Sequence, residues 1–307
     1  MKKIKSLFFI LFGLGVYLNA KPLITVSIPP QAYFLSQIAG TTVDIHTLIP
    51  QGADPHTFEF KPQMLIALQK SDLYLTIGLE FEEIWIPKFK TNLAHTQILS
   101  IAPKQEAECC HHNHNHNHNH DHDHDHDHDH DHDHDHDHDH DHDHSTTEHK
   151  HDPHTWLSPI LVKSIATNIA QILIAQYPQN ASLYEKNLQS FIARIDALHQ
   201  NISNKLKPLK NRTFITYHPA WGYFAKDYQL QEISIEFEGK EPTPQILKSI
   251  FNTIRSHHIQ TIFVQNGFSI KTASDIAKNT GAKTWITNPL AYEWEKELLH
   301  FTEGLLQ

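Results

Sequence analysis

Apolar and polar positions along the chain alternate between two periods. Pro22 to Ile28 is a short run with β-branched residues stopped by Pro29-Pro30, which predicts a buried strand, and Gln31 to Ile38 is helix-like and ends at Gly40. Val43 to Ile49 alternates as a second strand. A Pro- and Gly-bearing loop follows, Pro50 to His56, then a helix over Pro62 to Gln69 and strands over Asp72 to Gly78 and Gln97 to Ile101. After residue 159 a helix spans Ile160 to Gln176, broken by Pro178. Beyond Pro208 the alternation restarts, with strands at Thr213–Tyr217, Gln231–Phe237, Ile262–Val264 and Lys283–Thr287. Helices start at Thr243-Pro244 and cover Thr272–Asn279 and Tyr292–Leu306. Strands alternating with helices imply an α/β fold with parallel sheets covered on both faces.

Between the two series lies the longest helical pattern, Ser182 to Leu206. Leu188, Phe191, Ile192, Ile195, Leu198 and Ile202 form one apolar stripe with no Gly or Pro inside. At a 1.5 Å rise per residue it would reach roughly 35 Å, which suits a strut between two lobes.

One stretch has neither period. From His111 to His144 the chain alternates Asn-His and then Asp-His, and it holds eighteen of the 29 histidines. With almost no apolar residues it cannot offset its ordering entropy, so a disordered loop over 109–151 is expected. An insertion of that length is tolerated because closure entropy rises slowly with length. Imidazole is a common ligand for zinc, nickel and copper, and the carboxylates favour a cation. His111, His112, His114, His116, His118, His120, His122, His124 and onward to His144 are therefore accessory metal ligands; low-complexity drift is the other reading. The two cysteines, Cys109 and Cys110, are adjacent and close no useful loop, which leaves a vicinal disulfide, metal ligation or a passive role.

The run also accounts for the charge. The net charge of −10 includes its twelve Asp, and the remainder is close to neutral, with 23 acidic against 25 basic residues. Nothing in that balance suggests a nucleic-acid surface. At the N-terminus, Lys2, Lys3 and Lys5 precede an apolar stretch from Leu7 to Leu18 that is too short to span a bilayer, and Ala20 offers a cleavage point. Residues 1–20 read as a signal peptide. No cysteine stands there for lipid attachment, so a soluble periplasmic protein is expected.

Three histidines outside the run share one context. His56 lies in the loop after a strand, His154 between the insertion and a helix, and His218 at a strand end. In open α/β sheets such loops form the ligand crevice. Three neutral imidazoles at one point make a zinc-like site with a fourth position for water or a carboxylate. His46, His95, His199, His257, His258 and His300 have no such context.

Gly52-Ala53-Asp54-Pro55-His56-Thr57-Phe58-Glu59, Asp152-Pro153-His154-Thr155-Trp156-Leu157-Ser158-Pro159 and His218-Pro219-Ala220-Trp221-Gly222-Tyr223 resemble signature segments of the metal-specific solute-binding proteins of ABC transporters (cluster A). Glu241-Pro242-Thr243-Pro244 is similar to a further segment. The likeness covers the mature chain apart from the His run. It implies two lobes, 21–181 and 208–307, each a four-stranded parallel sheet with helices. A rigid helix over 182–207 would join them, with the metal between. It implies the zinc branch, where a histidine occupies the place of His218 and a His-rich loop is common; nitrogen donors suit zinc where oxygen donors suit manganese. It implies no reaction, a monomer, and a membrane permease as partner. One position departs: Asn288 stands before Pro289-Leu290, where the family commonly has an aspartate ligand. The fourth ligand is then water, a loop histidine or a carboxylate. A metal buffer or adhesin without a permease, and a three-histidine zinc hydrolase, are the competing functions.

Overall fold

The computed structural model describes residues 20–53, 55–104, 152–236, 242–265, 268 and 270–307. The signal segment, the cysteine pair, the His/Asp run and Glu241 lie outside the described residues.

Two sheets repeat one topology. The first contains β1 (Leu23–Val26), β2 (Asp44–Thr47), β3 (Leu73–Thr76) and β4 (Gln97–Ser100) in the order β2-β1-β3-β4. The second contains β5 (Thr213–Thr216), β6 (Gln231–Ser234), β7 (Thr261–Gln265) and β8 (Lys283–Thr287) in the order β6-β5-β7-β8. Every pairing is parallel. The fold is thus α/β with two four-stranded parallel sheets, as the alternation predicts. β3 and β7 are buried throughout and apolar at their centres, whereas β2 and β6, at the sheet edges, mix polar and apolar residues.

The helices are α1 (Pro29–Ala39), α2 (Pro62–Gln69), α3 (Glu80–Phe89), α4 (Pro159–Gln176), α5 (Ala181–Leu206), α6 (Gly222–Asp227), α7 (Pro244–Ser256), α8 (Ile270–Thr280) and α9 (Trp294–Leu305). Two of them, α3 and α6, were not legible from periodicity. α3 carries Pro87 and a first turn of Glu80, Glu82 and Glu83. Those acids favour a helix N-terminus, but they blur the apolar stripe. Glu82 is buried and accepts hydrogen bonds from the backbone N–H groups of Ile77 (3.0 Å), Gly78 (2.7 Å) and Leu79 (3.0 Å), and from the Ser27 hydroxyl. The start of α3 is thereby tied to the ends of β1 and β3.

The strut is present as a helix of 26 residues. Its buried face is Tyr184, Phe191, Ile195, Leu198, Ile202 and Leu206, while Leu188 and Ile192 are only half-buried. It packs on α1 and α4 from one side of the chain and on α9 from the other. Arg194 donates to Gln37 (2.6 Å) and Glu295 (3.0 Å), and the Tyr33 hydroxyl donates to the same glutamate (2.6 Å), so α1, α5 and α9 are joined side by side. α4 is long and apolar enough by composition to cross a membrane, yet Val162, Ile165, Ala166, Ile169 and Leu173 are buried in this packing.

One apolar core runs from β1, β3, α1, α4 and α5 through to Phe214, Trp221, Phe263, Trp294 and Phe301 of the second half. Trp221 stacks on Phe301 with ring centroids 3.5 Å apart. A second core, with Ile215, Ile250, Ile254, Ile262 and Ile276, fills the other face of the second sheet. The first core is continuous across both sheets, so what lies between them is packed side chains.

Candidate metal centre

His218 follows β5 by two residues. Its backbone is clamped by the Gln265 side chain at the end of β7: Oε1 accepts from the His218 N–H (3.2 Å) and Nε2 donates to its carbonyl (2.5 Å). The turn beyond is held by Glu232 of β6, which accepts from the N–H of Ala220 (3.2 Å) and Trp221 (3.1 Å) and from the Thr216 hydroxyl (2.7 Å). Burial, with the nearby Asp152 charge adding to it, pushes the Glu232 carboxyl up to about 7. The His218 Nδ1 lies 3.4 Å from Glu236 Oε1, and its buried Nε2 has no hydrogen-bond partner among the described residues.

His154 is 5 % exposed. Asp152 Oδ1 accepts both its backbone N–H (2.9 Å) and its Nδ1–H (2.7 Å). A carboxylate can only accept, so the proton sits on Nδ1 and the Nε2 lone pair faces outward. The following turn, Thr155 to Leu157, leads into Ser158, whose hydroxyl caps α4 by accepting from Leu161 N–H (3.0 Å). This segment precedes α4 but is bonded to the second half of the chain. The Trp156 indole donates to the Pro289 carbonyl (2.8 Å), and the Trp294 indole donates to the Trp156 carbonyl (2.6 Å). Ser158 donates to Asp227 (2.6 Å), and Tyr223 to the Asp152 carbonyl (3.3 Å).

His56 is exposed, on the loop between β2 and α2. Gly52 turns that loop with φ +86°, a conformation side chains resist. Beyond His56, Phe58 packs on Phe81, and Phe60 stacks on Phe89 at 4.2 Å, which anchors the loop to α3. Glu80, the first residue of α3, places a carboxylate oxygen 3.9 Å from His56 Nδ1.

The three histidines expected from sequence come together. One ring nitrogen from each lies within 4.8 Å of the others, and Nε2 of His56 and His154 are 3.4 Å apart. Zinc–nitrogen bonds of about 2.0–2.1 Å in a tetrahedron put neighbouring nitrogens about 3.3–3.4 Å apart, so that pair is already at ligand spacing. Each ring has a carboxylate at its Nδ1: Glu80, Asp152 and Glu236. A hydrogen bond of that kind, as between His154 and Asp152 and between His218 and Glu236, orients a metal-ligating histidine, whereas Glu80 at 3.9 Å from His56 is beyond hydrogen-bond distance. Phe268 stacks on His218 at 4.7 Å, and Asn288 lines the same cleft, its amide oxygen accepting from Leu290 N–H (3.2 Å).

None of the other described histidines joins this cluster. His199 bonds the Tyr228 hydroxyl (3.0 Å), and His300 the Ile286 carbonyl (2.9 Å). Sequence reasoning missed Glu80 and Glu236. Both lie on a different element from their histidine, 18 residues away for Glu236, and carry no local motif.

A profile of the family described as zinc-uptake complex component A, periplasmic, matches residues 24–301. The chain is 29 % identical over 263 residues to the high-affinity zinc uptake system protein ZnuA of Bacillus subtilis, covering 85 % of this chain and 76 % of that protein. It is 27 % identical to the zinc-binding lipoprotein AdcA of Streptococcus pneumoniae, with 85 % of this chain matched, but it spans only 48 % of that protein's length. Among solved structures, a crystal structure of ZnuA superposes with a TM-score of 0.76 at 35 % identity, covering 92 % of this chain and 97 % of that one.

Proposed function

The chain belongs to the family of periplasmic zinc-uptake component A proteins, and from that premise we propose that it captures Zn²⁺ outside the inner membrane and delivers it to the permease of an ABC transporter. The ion is cargo. His56, His154 and His218 hold it, and water, a histidine of the 111–144 run or a carboxylate completes the tetrahedron. The neutral amide of Asn288 is a poor zinc ligand. Residues 21–181 and 208–307 act as two lobes on the 182–207 strut. The protein works as a monomer in the periplasm after loss of residues 1–20, binds no nucleic acid and catalyses no reaction.

The observation that carries this reading is the convergence of three imidazoles, each with a carboxylate behind it, around a space of about 30 Å³. Pockets for organic ligands are roughly 300–1,000 Å³. A space this small suits an ion and a water.

Zinc titration calorimetry on the mature protein, beside a variant lacking residues 111–144, tests the assignment. The deletion is expected to keep one tight site and lose weaker ones. Loss of the tight site with the run would mean that the run supplies a primary ligand. Delivery to a permease is tested by gene deletion: a growth defect rescued by excess zinc is expected, and normal growth under zinc limitation would favour a buffer or adhesin.

A further inference from the structure

The parallel register of β5 and β6 pairs Thr213 with Gln231 and Thr216 with Ser234. The ladder continues past both strands, with Ile235 N–H donating to Thr216 O (2.9 Å) and Glu236 N–H to Tyr217 O (2.8 Å). Two residues beyond Thr216 is His218, and two beyond Ser234 is Glu236. Because side chains repeat with period two along a strand, these two extend the face occupied by Thr216 and Ser234. The sheet itself therefore delivers a carboxylate to the His218 ring, with Nδ1 and Oε1 3.4 Å apart.

Three features separate Glu236 from an incidental neighbour. Its side chain is only 5 % exposed, and a carboxylate so buried is costly unless partnered. It meets the ring at Nδ1 and, among the described residues, neither lines the cleft nor joins the three-histidine group. The far nitrogen of that ring, Nε2, is buried and has no hydrogen-bond partner among the described residues.

We propose that Glu236 is a positioning residue of the zinc site. It accepts the Nδ1 proton of His218, fixes that tautomer, and so presents the Nε2 lone pair to the cation. This rests on the reading of His218 as a zinc ligand. Glu236 does for His218 what Asp152 does for His154, but from a neighbouring strand instead of two residues away.

The test uses the full mature chain and zinc alone. Zinc affinity is measured by competition against a chelator for wild type, Glu236→Ala, Glu236→Gln and His218→Ala. The His218 tautomer is read from ¹⁵N-edited spectra of the zinc-free protein. Glu236→Ala is expected to weaken zinc about 10–100-fold, as loss of such a partner does elsewhere, and to abolish the Nδ1–H preference. Glu236→Gln keeps the volume and one acceptor, and is expected to lose several-fold in affinity at an unchanged melting temperature. Wild-type affinity in Glu236→Ala, with the tautomer unchanged, overturns the proposal. Should Glu236→Ala fail to fold, wild-type affinity in Glu236→Gln overturns it instead. His218→Ala separates the two failures, because unaltered zinc binding there removes the ligand assignment itself.

Discussion

His154 and His56 meet with their Nε2 atoms 3.4 Å apart, yet the chain supports them by opposite means. His154 is buried, its proton is placed by a 2.7 Å bond to Asp152, and its segment is fastened through Trp156, Ser158 and Asp152 to residues far along the chain. His218 shares that setting, clamped by Gln265 and Glu232. His56 is exposed, on a Gly- and Pro-bearing loop, with its carboxylate at 3.9 Å and its anchorage two aromatic residues downstream. The site is therefore a rigid pair plus one adaptable arm. Although His154 precedes the strut in sequence, its bonds tie it mechanically to the second half.

The largest effect expected from this asymmetry is on affinity. His154→Ala removes a preorganised donor and leaves Asp152 without its ring, and it should weaken zinc by more than about 100-fold, beyond the loss of a supporting carboxylate alone. His56→Ala removes a donor that must be ordered on binding, so its loss should be distinctly smaller, because part of its intrinsic contribution is spent on fixing the loop. Calorimetry on the two variants decides. Equal losses, or a greater one at His56, would break the division into pair and arm.

A second variant sharpens the contrast from the rigid side. A Cβ added at Gly222 would lie 3.0 Å from Asp152 Oδ2, so Asp152 has to give way by a few tenths of an ångström. Gly222 also opens α6, where alanine is the better helix former, by less than the roughly 1 kcal/mol it gains in a helix interior. Gly222→Ala should thus leave thermal stability level or slightly raised while zinc affinity falls several-fold, up to about tenfold. Affinity and stability falling together would mean that the turn, and not the Asp152–His154 bond, had been disturbed.

The sequence carried the architecture because both sheets are written in short apolar runs between Pro and Gly stops. It carried the three converging histidines because each sits in a contiguous segment with its own turn residues. It did not carry α3 or α6. The first mixes an acidic turn with Pro87, and the second is six residues long, too short for a helical period to register. Nor did it carry the pairing of Glu236 with His218 or of Glu80 with His56. Those depend on strand register and on where a loop folds back, and neither leaves a mark at fixed spacing. The tie of His154 to the second half was hidden for the same reason, since the partners Pro289 and Trp294 lie more than a hundred residues away.

The smallest effect concerns how the rigid side is held. Glu232 braces the turn after His218 while its carboxyl, pushed up by burial to about 7, holds a proton that the unfolded chain has already released. Between the ordinary glutamate range near 4.5 and pH 7 the native state therefore binds more protons than the unfolded state, and stability falls as pH rises through that window, then levels off. The fall assignable to Glu232 should be of order 1 kcal/mol, since the carboxylate keeps three hydrogen-bond donors and some contact with solvent. Urea denaturation of the zinc-free protein from pH 5 to 8 should show the slope, and Glu232→Gln should reduce it. What remains belongs to Glu82 and Asp227, whose carboxyls burial also raises. A wild-type profile that is flat, or one that Glu232→Gln leaves unchanged, would mean that Glu232 is ionised in the native state. The turn carrying His218 would then rest on a buried charged brace held by its three hydrogen-bond donors, which salt screens far less than an exposed charge.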